Sequence, residues 1–149
     1  MKASAFFSME QQSMILAAVR EAEKETSGEI RVHIETRCPD DVLDRAAWIF
    51  KKLSMHKTAE RNGVLFYLAV EDKKFAVIGD AGINAKVPAG FWDCVKELLK
   101  NEFVAGRFTE GLSEGIKLAG RQLKSHFPHK ADDRNELSDE ISFDKPVQS

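Results

Sequence analysis

Oxygen-bearing side chains recur in three turns of the sequence, each beside a segment with strand character. These turns are Gly28-Glu29, Glu60-Arg61-Asn62 and the loop from Gly79 to Asn84. Hard cations such as Ca²⁺ take about six to eight oxygen ligands from carboxylates, amides and backbone carbonyls. Asp80 is the strongest candidate ligand, because its glycine neighbours let backbone groups approach an ion closely. An ordinary turn, with Glu29 as a solvated strand residue, is an equally open interpretation.

Other kinds of site find little support in the residue spacing. The four histidines are too scattered for zinc ligation or for a Ser/His/Asp triad. The segment GDAGINAK lacks the Lys-Ser/Thr pair of a phosphate-binding loop. Arg61 and Arg107 could each meet an anionic substrate, but a single arginine is weak evidence.

Three segments carry strand patterns. EIRVHIET, from Glu29, alternates apolar and polar residues and predicts a strand with one solvated or lightly covered face. GVLFYLAV, from Gly63, is almost uniformly apolar, which is typical of a central strand covered on both faces. KFAVIG, from Lys74, should form an antiparallel hairpin with it. The first two strands should be parallel because a helix joins them, so the three oxygen-bearing turns should share one rim of the sheet.

Helical patterns flank these strands and are predicted over residues 8–24, 42–53, 91–103 and 109–126. Ser8 and Gln11 have the spacing of a capping box at the first helix. Asp40 or Asp41 is a cap for the second, and Thr109 for the last. Helices and strands in this order predict an α/β/α sandwich, in which helices cover both faces of a small mixed sheet.

The composition fits one globular domain of 149 residues, with 43% hydrophobic and 31% charged residues. A net charge of -2 gives no basic field, so nucleic acid is not an expected partner. The apolar runs are much shorter than the ~20 residues of a membrane-spanning helix. Residues 127–149 hold six acidic and three basic residues and few large apolar ones. They are predicted to form a disordered acidic tail after a folded domain of residues 1–126.

The cellular compartment is inferred from the chain start and the cysteines. The N-terminal segment MKASAFFSMEQQSM lacks the apolar core of a secretory signal. Cys38 and Cys94 lack Cys-x-x-Cys spacing and suit reduced thiols. We therefore expect a soluble, cytoplasmic and monomeric protein.

Three blocks of sequence, in this order and spacing, resemble the TPM domain family. They are SGEIRVHIE, RNGVLFYLAVEDKKFAVIGDAGINAKVP and FWDCVKELLKNEFVAGRFTEGLSEGI. The resemblance spans roughly Ala17 to Gly120 and implies the same α/β/α sandwich. Members of the family include a thylakoid-lumen protein with acid phosphatase activity, a photosystem II repair factor and a modulator of acetylcholine receptors.

The resemblance also implies a divalent-metal site, with calcium as the expected ion. Carried onto this sequence, the candidate ligands are Asp80, Glu29, Asn62 and Asn84. Many relatives carry a leader and a membrane helix, and neither pattern is visible here. The loop GDAGIN also departs from the family's Gly-x-Gly form, since two residues separate Gly79 from Gly82. The ligand geometry should differ accordingly.

Three functions follow from these expectations. The first is a small TPM-like domain that binds a divalent cation and serves as a binding or accessory module, with another protein as partner. The alternative is a metal-assisted phosphatase acting on phosphomonoesters, with Asp80 or Glu29 as ligand and Arg61 steadying the substrate. The third is a protein-binding domain that uses an apolar patch or the acidic tail. The first is preferred over the second because phosphoryl transfer usually needs more positive charge than one arginine.

Overall fold

The computed structural model describes residues 2–129 and 141–144. The helices of this part are α1 (Ala3–Phe6), α2 (Met9–Glu23), α3 (Val42–Lys52), α4 (Ala81–Asn84), α5 (Phe91–Val104) and α6 (Phe108–His126), with a 3₁₀ turn at Met55–Lys57. The strands are β1 (Glu29–Glu35), β2 (Gly63–Ala69), β3 (Lys74–Gly79) and β4 (Ser142–Phe143). No described helix has the length and apolar character needed to cross a membrane.

The strands form one mixed sheet in the order β3-β2-β1-β4. β1 and β2 are parallel, with Glu29 opposite Gly63. β2 and β3 are antiparallel, with Val64 opposite Gly79. The predicted parallel pair and the predicted hairpin are both confirmed.

Helices cover both faces of this sheet, which confirms the α/β/α sandwich. On one face α2, α5 and α6 bury the side chains of alternate strand residues such as Val32 and Phe66. On the other face α3 packs its Ile49 and Phe50 against Leu65 of β2. Every residue of β2 is buried, as its uniform apolar sequence predicted.

The predicted solvated face of β1 is wrong. Glu29, His33 and Glu35 are only 2%, 4% and 2% exposed. Arg45 of α3 reaches Glu35 on this face, and Ser142 of β4 reaches His33. Strict alternation of apolar and polar residues does not distinguish a solvated polar face from one that is buried and hydrogen-bonded.

Two of the predicted helix caps are confirmed and one is wrong. Ser8 and Gln11 form the complete capping box of α2, and Asp41 accepts from two backbone amides at the start of α3. Thr109 lies inside α6, which begins one residue earlier at Phe108. The ring of Phe108 stacks on Phe103 at a centroid distance of 5.0 Å, so apolar packing sets this helix start.

Parts of the predicted disordered tail contact the domain instead. The Ser27 amide donates to the Phe127 carbonyl at 3.0 Å, and Pro128 forms a bridge with Thr26. Residues 141–144 include β4, which pairs with β1 in parallel. The rest of the predicted tail, residues 130–140 and 145–149, lies outside the described residues.

The outer edge of β1 has partners near both of its ends. The Ile30 amide donates to a carboxylate oxygen of Glu23 in α2 at 2.8 Å. At the other end β4 pairs with His33 and Ile34. Beyond it, the Thr36 amide donates to the Asp144 carboxylate at 2.9 Å.

Candidate functional site

The sheet register brings the three oxygen-bearing turns to one edge of the molecule. The Glu29 amide donates to the Asn62 carbonyl at 3.4 Å, and the Asp80 amide donates to the Gly63 carbonyl at 2.9 Å. We call this edge the rim and define it by its polar residues, Ser27, Glu29, Glu60, Arg61, Asn62 and Asp80. The topology places Glu29, Asn62 and Asp80 at this rim because parallel strands begin where an antiparallel neighbour ends.

Asp80 forms a forked ion pair with Arg61 at the rim. The Arg61 Nε and Nη2 atoms each lie 2.7 Å from a carboxylate oxygen of Asp80. Asp80 Oδ1 also accepts from the Ala81 amide at 2.7 Å, so the same carboxylate caps α4. The Asp80 side chain is 6% exposed, whereas that of Arg61 is 52% exposed. The hydrogen bonds and charge of Asp80 raise the pKa of Arg61.

Backbone oxygens crowd the loop that follows Asp80. The Gly82 amide donates to the Arg61 carbonyl at 2.8 Å. A Cβ atom on Gly82 would lie 2.1 Å from the Glu60 carbonyl oxygen and 2.6 Å from that of Arg61. Only glycine fits this position, because the backbone of Glu60 and Arg61 lies against it.

Asn62 belongs to a second cluster at the rim. The Ser27 hydroxyl donates to Glu60 Oε2 at 2.8 Å, and Asn62 Nδ2 lies 3.4 Å from both Ser27 Oγ and Glu60 Oε2. Asn62 is 1% exposed. Its amide oxygen is buried and accepts no hydrogen bond within the described part of the chain. Leaving such an oxygen without a partner costs about 1–3 kcal/mol, so a cation or a bound polar group would stabilise it.

Asn84 is held away from these groups. Its Nδ2 donates to the Gly79 carbonyl at 2.7 Å, and its Oδ1 accepts from the Trp92 indole at 2.8 Å. Both ends of the amide therefore join α4 to β3 and α5. Trp92 was not predicted here, because a contact between side chains eight residues apart across a turn leaves no periodic signal.

The rim fits a cation in part. It offers the carboxylates of Glu29, Glu60 and Asp80 and the amide oxygen of Asn62. Within residues 2–129 and 141–144, no three His, Cys, Asp or Glu side chains are grouped closely enough to hold a metal ion. A cation at the rim would depend on neutral oxygens as well, and Ca²⁺ accepts such ligands.

A second polar network lies at the other end of β1, around Glu35. Arg45 Nε lies 3.0 Å from Glu35 Oε2, and Arg45 Nη2 lies 2.5 Å from Oε1. The Tyr67 hydroxyl donates to Oε2 at 2.5 Å, and His33 Nε2 lies 3.3 Å from Oε1. Burial alone would raise the pKa of Glu35, but contacts with His33, Arg45 and Tyr67 outweigh it and lower the pKa to about 2.

The C-terminal strand closes this second network. His33 Nδ1 and the Ser142 hydroxyl of β4 are 2.7 Å apart. The His33 ring stacks on Tyr67 at a centroid distance of 6.1 Å. Burial and the nearby Glu35 carboxylate raise the pKa of Tyr67, so its hydroxyl stays protonated and serves as a donor. His33, Glu35 and Tyr67 are all buried, which suits a structural role for the network.

Comparison with solved structures identifies similar folds. The NMR structure of the BA42 protein from the psychrophilic bacterium Bizionia argentinensis is 46% identical, covers 96% of this chain and 99% of its own, and has a TM-score of 0.88. The N-terminal domain of a P. gingivalis protein is 19% identical, with 85% of this chain and 84% of that chain covered and a TM-score of 0.67. At such identity the likeness concerns the fold alone.

A third structure, the N-terminal domain of the cg2496 protein from Corynebacterium glutamicum, is 13% identical over 98% of this chain and 85% of that chain, with a TM-score of 0.61. No curated protein matches the sequence. The sequence profile of the TPM domain matches residues 1–122. That range includes the whole of the rim, the Glu35 network except Ser142, and all three blocks of resemblance. The chain therefore belongs to the TPM domain family.

Proposed function

We propose that this TPM domain binds a divalent cation, with calcium the expected ion, at the rim and serves as a binding or accessory module for another protein. The observation that carries the proposal is the buried amide oxygen of Asn62, which accepts no hydrogen bond among the described residues. The amide nitrogen of the same residue contacts the Glu60 carboxylate at 3.4 Å, so a charged oxygen group also lies near Asn62.

Asp80 joins this site by releasing Arg61 and binding the cation in its place. Its carboxylate is held by Arg61, whose side chain is half exposed and can move into solvent. Solvent screens the arginine side of this pair, so a cation that binds the Asp80 carboxylate competes with a partner that water can also solvate. The proposed ligands are Asp80, Glu29 and Asn62. Asn84 is left out because both ends of its amide are already engaged.

Metal-assisted phosphomonoester hydrolysis is the second candidate. The observation that favours it is the half-exposed guanidinium of Arg61 beside a carboxylate, since a planar guanidinium binds phosphate through paired hydrogen bonds. In this function Arg61 would turn from Asp80 to the substrate, and a bound cation would polarise a phosphoryl oxygen. The two candidates therefore assign opposite roles to Arg61.

Opposite effects of Arg61→Gln separate the two candidates. Chelator-treated full-length protein is titrated with CaCl₂ by calorimetry, and the Tm is measured with and without the ion. If Arg61 only competes for Asp80, Arg61→Gln tightens calcium binding by about threefold to tenfold, equivalent to about 0.7–1.4 kcal/mol. Asp80→Asn weakens it by at least about tenfold, and the exposed Asp44→Asn on α3 serves as a control that leaves it unchanged.

The contrary outcomes are equally specific. No heat and no rise in Tm at millimolar calcium would remove the cation site, since a ligand that binds only the native state must stabilise it. Turnover of a generic phosphomonoester that is lost in both Arg61→Gln and Asp80→Asn would favour the phosphatase. Turnover that survives both changes would belong to a contaminant.

A cytoplasmic location is part of the proposal. Cys38 is buried, Cys94 is exposed, and both thiols are free. Free thiols suit a reducing compartment. Because free calcium is scarce in such a compartment, magnesium is the necessary second titrant in the same experiment.

A further inference from the structure

We propose that a groove on the far side of the sheet from α3 binds a free fatty acid, with its alkyl chain against phenylalanine rings and its carboxylate between Lys73 and Lys100. The groove lies between the β2–β3 hairpin and the ends of α5 and α6, and has a volume of about 530 Å³. Its apolar lining residues are Leu68, Val70, Phe75, Phe103, Val104 and Phe108. Small-molecule pockets usually measure about 300–1,000 Å³ and have such a lining.

The walls of the groove are held in place by ring contacts among its lining residues and with Phe6 behind them. Phe75 meets Phe103 edge to face at a centroid distance of 5.1 Å, and Phe103 stacks on Phe108 at 5.0 Å. The ring of Phe6 in α1 meets that of Phe108 edge to face at a centroid distance of 5.1 Å. Val104 remains 82% exposed at the edge of the groove. The groove is therefore preformed, and its apolar surface is not covered by the described part of the chain.

Two lysines supply the polar end of the site. Lys73 and Lys100 line the groove, and in the described segments neither forms an ion pair or a side-chain hydrogen bond. The nearby Glu102 carboxylate is occupied by Arg107, at 2.9 Å for each of two hydrogen bonds. Lys73 has a φ of 53°, a conformation that glycine or asparagine adopts at lower cost.

This combination selects the chemical class of the ligand. Two ammonium groups beside an apolar surface complement one carboxylate joined to an apolar chain. A nucleotide or sugar would leave its hydroxyl groups without partners against the phenylalanine rings, at a cost in binding free energy. A free fatty acid places its carboxylate beside the lysines and its alkyl chain against the phenylalanine rings.

The test is a titration of full-length protein with dodecanoate below its micelle concentration, followed by calorimetry and by ¹H–¹⁵N NMR spectra. We expect saturable one-site binding, with shifts confined to residues 68–75 and 100–108. Dodecanol, which has the same chain without the charge, should bind at least about tenfold more weakly, since a hydrogen bond to a charged group contributes about that factor.

Variants separate the two halves of the site. Lys73→Gln with Lys100→Gln should weaken dodecanoate binding about tenfold or more and leave dodecanol binding unchanged. Val104→Asp, at an exposed position, should abolish the binding of both, while Lys51→Gln on α3 should change neither.

Three results would overturn the proposal. The first is the absence of saturable dodecanoate binding. The second is binding that the double lysine variant retains at wild-type affinity. The third is a set of shifts centred outside the groove. Sedimentation of the same samples adds a further check, because a dimer formed through Val104 in the absence of dodecanoate would assign the surface to a second copy of the chain.

Discussion

Two arginine–carboxylate pairs of the same forked kind hold opposite ends of the sheet, and their surroundings differ. In the Glu35–Arg45 pair the side chains are 2% and 20% exposed, and Arg45 also stacks on Trp48 at 4.4 Å. In the Asp80–Arg61 pair the arginine is 52% exposed. Arg61 also has a φ of 52°, so its backbone lies in a turn. The first pair is fixed by its neighbours, and the second can open.

The difference teaches that the same pair of chemical groups can be enclosed at one end of a sheet and half exposed at the other. Glu35 is surrounded by donors from β1, β2 and α3, so no incoming ligand can reach it without unpacking the sandwich. Asp80 shares its carboxylate between a half-exposed arginine and the start of a short helix. The proposed cation site is therefore placed at the rim and not at Glu35.

The largest effect should come from neutralising the closed pair. Glu35→Gln leaves the Arg45 charge without its partner in a largely buried position, and should lower the free energy of unfolding by about 3–5 kcal/mol. Urea denaturation measures this loss in the free energy of unfolding. Glu102→Gln removes the carboxylate from a more exposed fork and is the matched control, with a much smaller expected change because solvent screens that pair. Equal losses in the two variants would contradict the contrast.

Lowering the pH should reveal the same contrast, because protonation of Glu35 is coupled to unfolding. The pKa of Glu35 is lowered from its ordinary value of 4.5 to about 2 in the folded protein. A carboxyl group with a lowered pKa contributes stability that is complete above its unfolded pKa and is lost as the pH falls through the folded one. The contribution, about 3 kcal/mol, should disappear between about pH 4.5 and pH 2.

The measurement is urea denaturation at a series of pH values. Wild-type protein should lose more stability across this window than Glu35→Gln, which no longer has the group. Parallel curves for the two proteins would assign the acid sensitivity to other carboxylates.

The smallest effect should come from the open pair. Arg61→Gln leaves Asp80 its bond to the Ala81 amide, and the lost ion pair is solvent-exposed on the arginine side. We expect a loss in the free energy of unfolding that is clearly smaller than that of Glu35→Gln. A loss comparable with that of Glu35→Gln would show that the rim pair is also a structural lock and would remove the basis for partner exchange.

Much of the architecture could be predicted from the sequence because its signals are local. The apolar run from Gly63, the capping box at Ser8 and the hairpin before Lys74 each fix an element without reference to distant residues. Chain direction then places Glu29, Asn62 and Asp80 at one rim.

The partners of the site residues could not be predicted, because they depend on contacts between distant segments. Arg61 donates to Asp80, which lies 19 residues further along the chain. Ser142 contacts His33 across 109 residues. The burial of Glu35 follows from the same long-range packing. No periodic pattern encodes such pairs, so a polar strand face looks solvated until its partners are placed.

The outer edge of β1 has a further consequence. A strand with open amides and carbonyls invites pairing with other chains, and proteins suppress this by covering the edge. Here a glutamate from α2 occupies the amide of Ile30, and a two-residue strand covers His33 and Ile34. These contacts occupy part of the open edge, which is the kind of cover that suppresses sideways pairing between sheets.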